Sequence, residues 1–173
     1  VRTEEGATIH YLAASRRRIV PNLITGIARV RRKIDEIQPD IVHSEIPLGA
    51  LAGLKGGYPT VQTIHGISHL EVRYAPNLKR RAAAWLEGYL GRKSIRSLRH
   101  AIPTSQYAAD AYRGITSAKM HLIYNPIDDA FLERPNREEP GRLLFGGNVI
   151  ERKNVLGHLE IVRRLRGKHP YVR

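Results

Sequence analysis

The sequence predicts an α/β fold in which helices cover both faces of a mostly parallel sheet. Short runs rich in β-branched residues alternate with longer segments whose apolar residues recur at helical spacing. This alternation is typical of parallel sheets, because two parallel strands need a long crossover connection between them. No internal repeat or low-complexity segment interrupts the pattern, so one architecture accounts for most of the chain.

The strands are predicted where short apolar runs lie between turn residues. The clearest is PTVQTIH, because it carries four β-branched residues between a Gly-Gly-Tyr-Pro turn and Gly66. The complete set of predicted strands is 7–12, 40–44, 59–65, 100–105, 120–124 and 142–145.

The helices are predicted from apolar periodicity and from capping residues. Asn22 is a candidate N-cap for a helix that ends before Pro39, and Pro47 is a favourable first residue for the next. Thr104 and Ser105 are both candidate caps for a helix that ends before Gly114. The predicted helices are 23–38, 47–54, 78–99, 106–113 and 155–166.

The composition restricts the classes of function. The chain has 173 residues and no cysteine, which excludes disulfides and thiolate metal sites and fits a reducing compartment. Lys and Arg number 29 against 16 Asp and Glu, a net charge of +13. Such a charge favours anionic partners, namely nucleic acids, acidic lipid surfaces or phosphorylated small molecules. The given residues show no signal-peptide pattern and no apolar run long enough to span a bilayer.

The predicted helix 78–99 is both basic and amphipathic. Its apolar residues Ala82, Trp85, Leu86, Tyr89 and Leu90 are expected to share the face that packs on the sheet. Seven Lys and Arg residues lie in the same segment. The alternative is that this helix lies on an anionic membrane surface.

His65 is the strongest candidate functional residue. It ends a predicted strand just before Gly66, and ligands of open α/β sheets bind beyond the carboxyl ends of the strands. A histidine there can titrate near neutral pH and form hydrogen bonds. The alternative is a structural histidine. A metal site formed by His65 and His69 is disfavoured, because the segment between the two histidines is not predicted to be helical and contains no metal-binding motif.

Four segments in order resemble the retaining glycosyltransferases of the GT-B fold, in the large family-four group. TIHG at 63–66 is similar to the strand-end T-x-H-G of that family, and PTSQY at 103–107 to its strand-to-helix turn. The segment 123–131, IYNPIDDAF, resembles the N-P-x-D segment that leads into the second domain. The segment 144–154, LFGGNVIERKN, resembles the first strand and loop of that domain.

The resemblance implies two Rossmann-like domains that face each other across a cleft, the first binding the acceptor and the second a nucleotide-sugar. It implies that His65 is catalytic and points into this cleft. We assign Glu45, Gly66, Ser105 and Asn125 to the acceptor side of the cleft. The donor diphosphate is expected to meet Gly147, Asn148, Arg152 and Lys153, whose cations would stabilise the leaving group without a metal or cofactor.

The chain departs from the family pattern in two places. Asn148 stands where the family has arginine after the loop glycine, and no two glutamates are spaced as in the donor-binding E-x(7)-E motif. We therefore expect a fragment that is inactive by itself. It would contain an acceptor-side domain at 1–132 without its first strands, a linker at 133–141, and the first βα unit of the donor domain at 142–173.

The resemblance further implies partners and location. We expect a nucleotide-sugar donor, a glycan or lipid-linked acceptor, and a cytoplasmic protein, with an anionic membrane surface as a candidate site of attachment. The sequence does not specify the oligomeric state. The main alternative is a non-catalytic basic protein that binds nucleic acid or membrane, although no nucleic-acid-binding motif is present. A sugar-epimerase relative would need a carboxylate pair, for which Glu45 and Glu71 are the candidates.

Overall fold

A computed structural model describes residues 2–13, 19–67, 70, 72, 75, 77–133, 135 and 137–173. The chain divides into two compact units, Val1–Asn125 and Pro126–Arg173. The second unit begins before the predicted linker 133–141. The assignment of the two units to acceptor and donor domains stays a prediction.

The first unit is built on a four-stranded parallel sheet. Its strand order is β3-β4-β5-β6, so each strand pairs with its sequence neighbour. The strands are β3 Val42–Ser44, β4 Thr60–Ile64, β5 His100–Pro103 and β6 Lys119–Met120. They confirm the predicted strands at 40–44, 59–65 and 100–105 with shorter bounds, whereas β6 begins one residue before the predicted strand 120–124 and overlaps it only at Met120. The predicted α/β class and parallel sheet are therefore confirmed.

Four helices with described bounds accompany this sheet. They are α1 Ile19–Ile37, α2 Pro47–Gly56, α3 Leu78–Ser97 and α4 Gln106–Ala111. The helix α1 packs against α2 and α3, and α2 packs against β3 and β4. None of the described helices combines the length and apolar composition that a bilayer-spanning segment needs.

The described helices cover one face of the sheet. The side chains of Val42, Gln62 and Ala101 point to that face and are buried, whereas those of His43 and His100 on the opposite face are exposed. The physical reason is the strand order: successive right-handed crossovers that step the same way place their helices on the same side. Helical cover of both faces, as predicted, is not seen among the described elements.

Two apolar clusters stabilise the covered side. The first joins β4, α3 and β5, where Ile64, Ile95 and Ala101 are almost fully buried. The second lies between α1, α2 and α3, and includes Ile27 and Leu51. Because burial of an aliphatic side chain contributes about 1.5–3 kcal/mol, these clusters hold the helices on the sheet and fix the positions of the strand ends.

An antiparallel hairpin precedes α1. It consists of β1 Arg2–Glu4 and β2 Ala7–Ile9, and it forms a separate two-stranded sheet. Glu5 and Gly6 both have positive φ angles, 47° and 81°, which is typical of a tight two-residue hairpin turn. The predicted strand 7–12 is therefore confirmed in its first half, but its partner is β1 and the main sheet does not include it.

The helix ends confirm most of the predicted caps. Pro47 begins α2, and Gly57 ends it in the left-handed conformation that favours glycine. Ser105 caps α4, because its hydroxyl accepts a hydrogen bond from the Ala108 N–H at 3.1 Å. The prediction for Asn22 is wrong, since α1 already includes Ile19 and Asn22 lies within its first turn.

The prediction for the apolar face of α3 is confirmed only in part, because Leu90 is buried and Leu86 packs against the second apolar cluster while the rest of the predicted face is exposed. Ala83, Leu90 and Ile95 are the residues buried against the rest of the unit, whereas Trp85 and Tyr89 are exposed. The helix carries apolar residues on two sides, and its small buried residues allow close packing on the sheet. Apolar spacing alone could not decide which side faces inward.

The second unit contains little regular structure. It has α5 Asp129–Leu132, a 3₁₀ turn Glu151–Lys153 and α6 Val155–Lys168, of which α6 confirms the predicted helix. The predicted strand 142–145 is wrong, because the described residues supply no strand to pair with it. Its backbone instead meets the end of the chain, where Leu143 N–H donates to the Arg173 carbonyl at 2.8 Å.

A buried polar contact fastens α3 to β4. The Ser94 hydroxyl, fully buried, donates to Gln62 Oε1 at 2.9 Å and lies equally close to the Gly91 carbonyl. We expect Ser94→Ala to lower the free energy of unfolding by about 1–3 kcal/mol, because it leaves the buried Gln62 oxygen without this donor. Denaturant unfolding measures the change. The exposed Ser97 is the control, and an equal loss in Ser97→Ala would contradict the account.

Candidate active site

The candidate site lies at the carboxyl ends of β3 and β4. His65 directly follows β4, and Glu45 directly follows β3. The His65 Nε2 atom is in hydrogen-bond contact with Glu45 Oε2. Both side chains are about half exposed, at 51% and 56%. The predicted catalytic histidine thus meets one of the carboxylates predicted for the cleft, at the sheet edge where ligands of α/β proteins bind.

A second histidine completes the cluster. His43 Nε2 lies 2.7 Å from the Thr63 hydroxyl and 3.3 Å from Glu45 Oε1. The Glu45 carboxylate therefore contacts the imidazoles of both His43 and His65, one with each oxygen. Because Thr63 is largely buried, its hydroxyl gives the cluster a fixed contact within the sheet.

The carboxylate determines which His65 nitrogen donates. An ionised carboxylate only accepts hydrogen bonds, so His65 Nε2 must carry the proton that points to Glu45. In the neutral imidazole, Nδ1 is then the nitrogen that accepts a hydrogen bond or a proton. The contact therefore fixes both the tautomer and the orientation of the ring.

The cluster also affects the carboxylate. The hydrogen bond from His65 lowers the pKa of Glu45 below its ordinary value, and the charge of His43 and the Thr63 hydroxyl act in the same direction. Glu45 is therefore ionised throughout the neutral range and remains the hydrogen-bond acceptor of His65, with His43 at ion-pair distance. This is the charge state that the orientation of His65 requires.

The lowered pKa of Glu45 predicts a measurable titration. We expect carboxyl ¹³C NMR to give Glu45 a midpoint below that of an ordinary glutamate, and His65→Ala to raise it. A pKa lowered in the folded state stabilises the fold above the ordinary carboxyl pKa, and this stabilisation is lost as pH falls through the lowered value. The exposed Tyr107→Ala serves as control. An unchanged Glu45 midpoint in His65→Ala would contradict the assigned hydrogen bond.

Other predicted cleft residues lie at the same edge of the sheet. Gly66 follows His65 and is exposed. Ser105 lies just beyond β5. The preceding residue, Thr104, donates hydrogen bonds from its N–H and its hydroxyl to the Ile64 carbonyl, at 3.2 and 3.1 Å. The Ser105 hydroxyl is engaged as the cap of α4, so it contributes to local structure. Asn125 is exposed beyond β6, at the end of the first unit.

The predicted donor-binding loop lies in the second unit. Gly147 has a φ of 152°, a conformation that L side chains rarely adopt, and Asn148 accepts a backbone bond from Ile150 N–H at 3.0 Å. The Lys153 Cε atom lies 3.9 Å from the position that a Cβ at Gly147 would occupy. Lys153 therefore folds back over the glycine turn. The Arg152 side chain lies outside the described part of the structure.

His43 and Thr63 were not among the predicted site residues. The sequence signal that could have identified them is the alternation of side chains along a strand. Because alternate residues point to the same face, His43 lies on the same face as Glu45, and Thr63 on the same face as His65. The missing information was the register, in which His43 pairs with Val61 and Ser44 with Gln62. Only this parallel alignment brings the two pairs together.

The described residues contain no group of three or more His, Asp or Glu side chains arranged to hold a metal ion. His69, considered above as a metal partner for His65, lies outside the described residues. Glu71, the second carboxylate of the epimerase alternative, also lies outside them.

The comparison with protein families connects this geometry to a known group. The family described as Glycosyltransferase Family 4 matches residues 2–131, which include the whole parallel sheet and the His43, Glu45 and His65 cluster. The chain belongs to glycosyltransferase family 4. The sequence resemblance to that family is therefore confirmed. No individually curated protein matches the chain.

The family match supports a glycosyltransferase domain and the α/β fold that carries it. It extends through the four sheet strands and into α5, and the Gly147 to Lys153 loop lies beyond it. The cluster around Glu45 is thus inside the part of the chain that is shared with other family-4 glycosyltransferases. The roles of individual residues stay predictions.

Proposed function

We propose that this family-4 glycosyltransferase transfers a sugar from a nucleotide-diphosphate-sugar to a glycan or lipid-linked acceptor, with retention of configuration. One observation carries the proposal: Glu45 joins His43 and His65 at the carboxyl edge of the parallel sheet. The cluster is half exposed, so it is open to a substrate. It lies where substrates of open α/β folds bind.

In this proposal His65 acts at the reaction centre and Glu45 acts through it. The Glu45 carboxylate holds the imidazole with Nε2–H donating, so Nδ1 is presented for a hydrogen bond to the reacting sugar or acceptor hydroxyl. As positive charge develops on the sugar in the transition state, the ionised Glu45 keeps the Nδ1 lone pair of His65 directed at it, so the electrostatic stabilisation reaches the sugar through the imidazole. Fixed orientation also removes the entropic cost of aligning the ring during the reaction.

The donor diphosphate is proposed to bind the loop that contains Gly147, Asn148 and Lys153, with Arg152 as a second cation. The backbone of Gly147 has no Cβ, so a phosphate oxygen can approach its N–H closely. Lys153 already lies against this turn. A cation in that position stabilises the charge that accumulates on the departing diphosphate, and for this reason we propose no metal or other cofactor.

The proposed setting is the cytoplasmic side of a membrane. Nucleotide-sugars would reach the enzyme from the cytoplasm, while a lipid-linked acceptor would be held at the membrane surface. The net charge of +13 is suited to an anionic surface. The fold also permits an oligomer. The strands β3 and β6 are the edges of the described sheet, and an edge strand can pair with a second copy of the chain.

The test is a transfer assay with a panel of nucleotide-sugars that differ in base and sugar. The full-length protein is incubated with each radiolabelled donor and with membrane and glycan extracts as acceptors. We expect one donor class to give labelled product together with release of the nucleoside diphosphate, and the product to retain the anomeric configuration of the donor by NMR. Absence of labelled product with every donor would overturn the proposal.

A further inference from the structure

The exposed side of α3 carries a continuous stripe that the glycosyl transfer does not use. At 100° per residue, Leu78, Ala82, Trp85, Tyr89 and Arg96 lie within about 40° of one line along the helix. The side chains of Leu78, Trp85 and Tyr89 are 83%, 62% and 47% exposed. We call this set the α3 stripe. Large apolar residues exposed together in this way are a mark of an interaction surface.

The two aromatic rings of the α3 stripe support each other. The ring centroids of Trp85 and Tyr89 are 6.1 Å apart and the ring planes are within 11° of parallel. The stacked pair presents a broad apolar surface whose polar atoms, the indole N–H and the phenol hydroxyl, can still meet water or headgroups. Trp and Tyr with one apolar and one polar end are the residues that prefer a membrane–water interface.

Cations border the α3 stripe on both sides. Arg81 and Lys93 lie about 60° to either side of its line, with no carboxylate partner among the described residues. Tyr89, Arg92, Lys93 and Arg96 also line an open cavity of about 510 Å³. The whole of α3 contains six cations and a single carboxylate, Glu87. An apolar stripe with this border is complementary to an anionic lipid surface, where each cation adds about 1 kcal/mol.

We propose that the α3 stripe is a membrane-docking surface that binds anionic lipid bilayers, with Trp85 and Tyr89 inserted at headgroup level. The cations attract the surface, and the aromatic pair gives the contact an apolar component that salt does not screen. The inference deepens the membrane setting proposed above by naming the surface that binds, and it can fail or hold independently of sugar transfer because it concerns binding alone.

The test uses intrinsic fluorescence, because Trp85 is the only tryptophan of the 173-residue chain. The chain is mixed with vesicles of phosphatidylcholine, with or without phosphatidylglycerol. With phosphatidylglycerol we expect a blue shift of the emission, protection from acrylamide, and quenching by brominated lipid. Unchanged emission with anionic vesicles at low ionic strength would overturn the proposal. Because no donor sugar is present, this result is independent of catalytic activity.

Variants separate the α3 stripe from the general charge of the protein. Co-sedimentation with anionic vesicles should weaken about fivefold for Lys93→Ala and for Arg81→Ala, which is the effect of about 1 kcal/mol. Tyr89→Ala should also reduce binding. This loss should be the same at low and high salt, because the contact that is removed is apolar. Arg113→Ala and Tyr107→Ala, exposed elsewhere on the first unit, are the matched controls. Equal losses in the controls would overturn the assignment to α3.

Discussion

Replacing His65 by alanine is expected to lower kcat/KM for sugar transfer by about 10²–10⁴-fold, the range for a positioned acid–base or hydrogen-bonding group. The imidazole is held by Glu45 and presents its second nitrogen to the substrate, and alanine removes both functions. The side chain is half exposed and outside both apolar clusters, so we expect the fold to persist. Steady-state kinetics with circular dichroism measure both effects.

The matched control for this prediction is His100→Ala. His100 is also an exposed histidine of the sheet, but it begins β5 and thus lies at the amino end of the strands, away from Glu45. We expect its replacement to leave kcat/KM within a small factor of the wild-type value. Turnover that is unchanged in folded His65→Ala, or reduced equally in both variants, would remove His65 from the catalytic role.

Lys153→Ala is expected to give the second largest loss, about 10²–10³-fold in kcat/KM, as for the removal of one preorganised electrostatic group. The lysine side chain lies against the Gly147 turn, where a diphosphate would meet its ammonium group. The loss should include a higher KM for the donor, because the ground-state diphosphate is also an anion. Initial rates over a range of donor concentrations separate the two effects.

The control for Lys153 is Lys168, the last residue of α6 in the same unit. Lys168→Ala removes the same charge from the unit but not from the glycine turn. If both variants lose donor affinity equally, the effect is one of net charge and the proposed donor site is wrong. If neither does, the diphosphate does not bind at Lys153.

The sequence predicted those parts of the fold that depend on local chemistry. Pro47 and Gly57 define α2, and Ser105 caps α4, because each residue acts on the backbone within a few positions of itself. The end of β4 next to His65 was predicted for the same reason, since β-branched residues are followed by a histidine and a glycine there. These features need no knowledge of the tertiary structure.

The failures come from tertiary packing. Trp85 and Tyr89 have the spacing of a buried face, yet the smaller Ala83 and Gly91 fit against the rest of the unit and the aromatic pair is left outside. The segment 142–145 has strand-forming residues, but no described strand pairs with it. Periodicity shows which residues share a side and does not identify the element that covers that side.

The candidate site was predicted in part. His65 and Glu45 were both assigned to the cleft, but nothing in the sequence showed that they touch. Their contact depends on the parallel register of β3 and β4, which also brings His43 and Thr63 into the cluster. The register is set by packing across the whole sheet, and a single sequence does not specify it.

The central claim, that Glu45 acts in sugar transfer through His65, is tested most directly by a double-mutant cycle. The values of kcat/KM are measured for the wild type, Glu45→Gln, His65→Ala and the double variant. We predict strong non-additivity: Glu45→Gln lowers the rate when His65 is present and changes little once His65 is absent. Fully additive losses would show that the two residues act independently and would contradict the account.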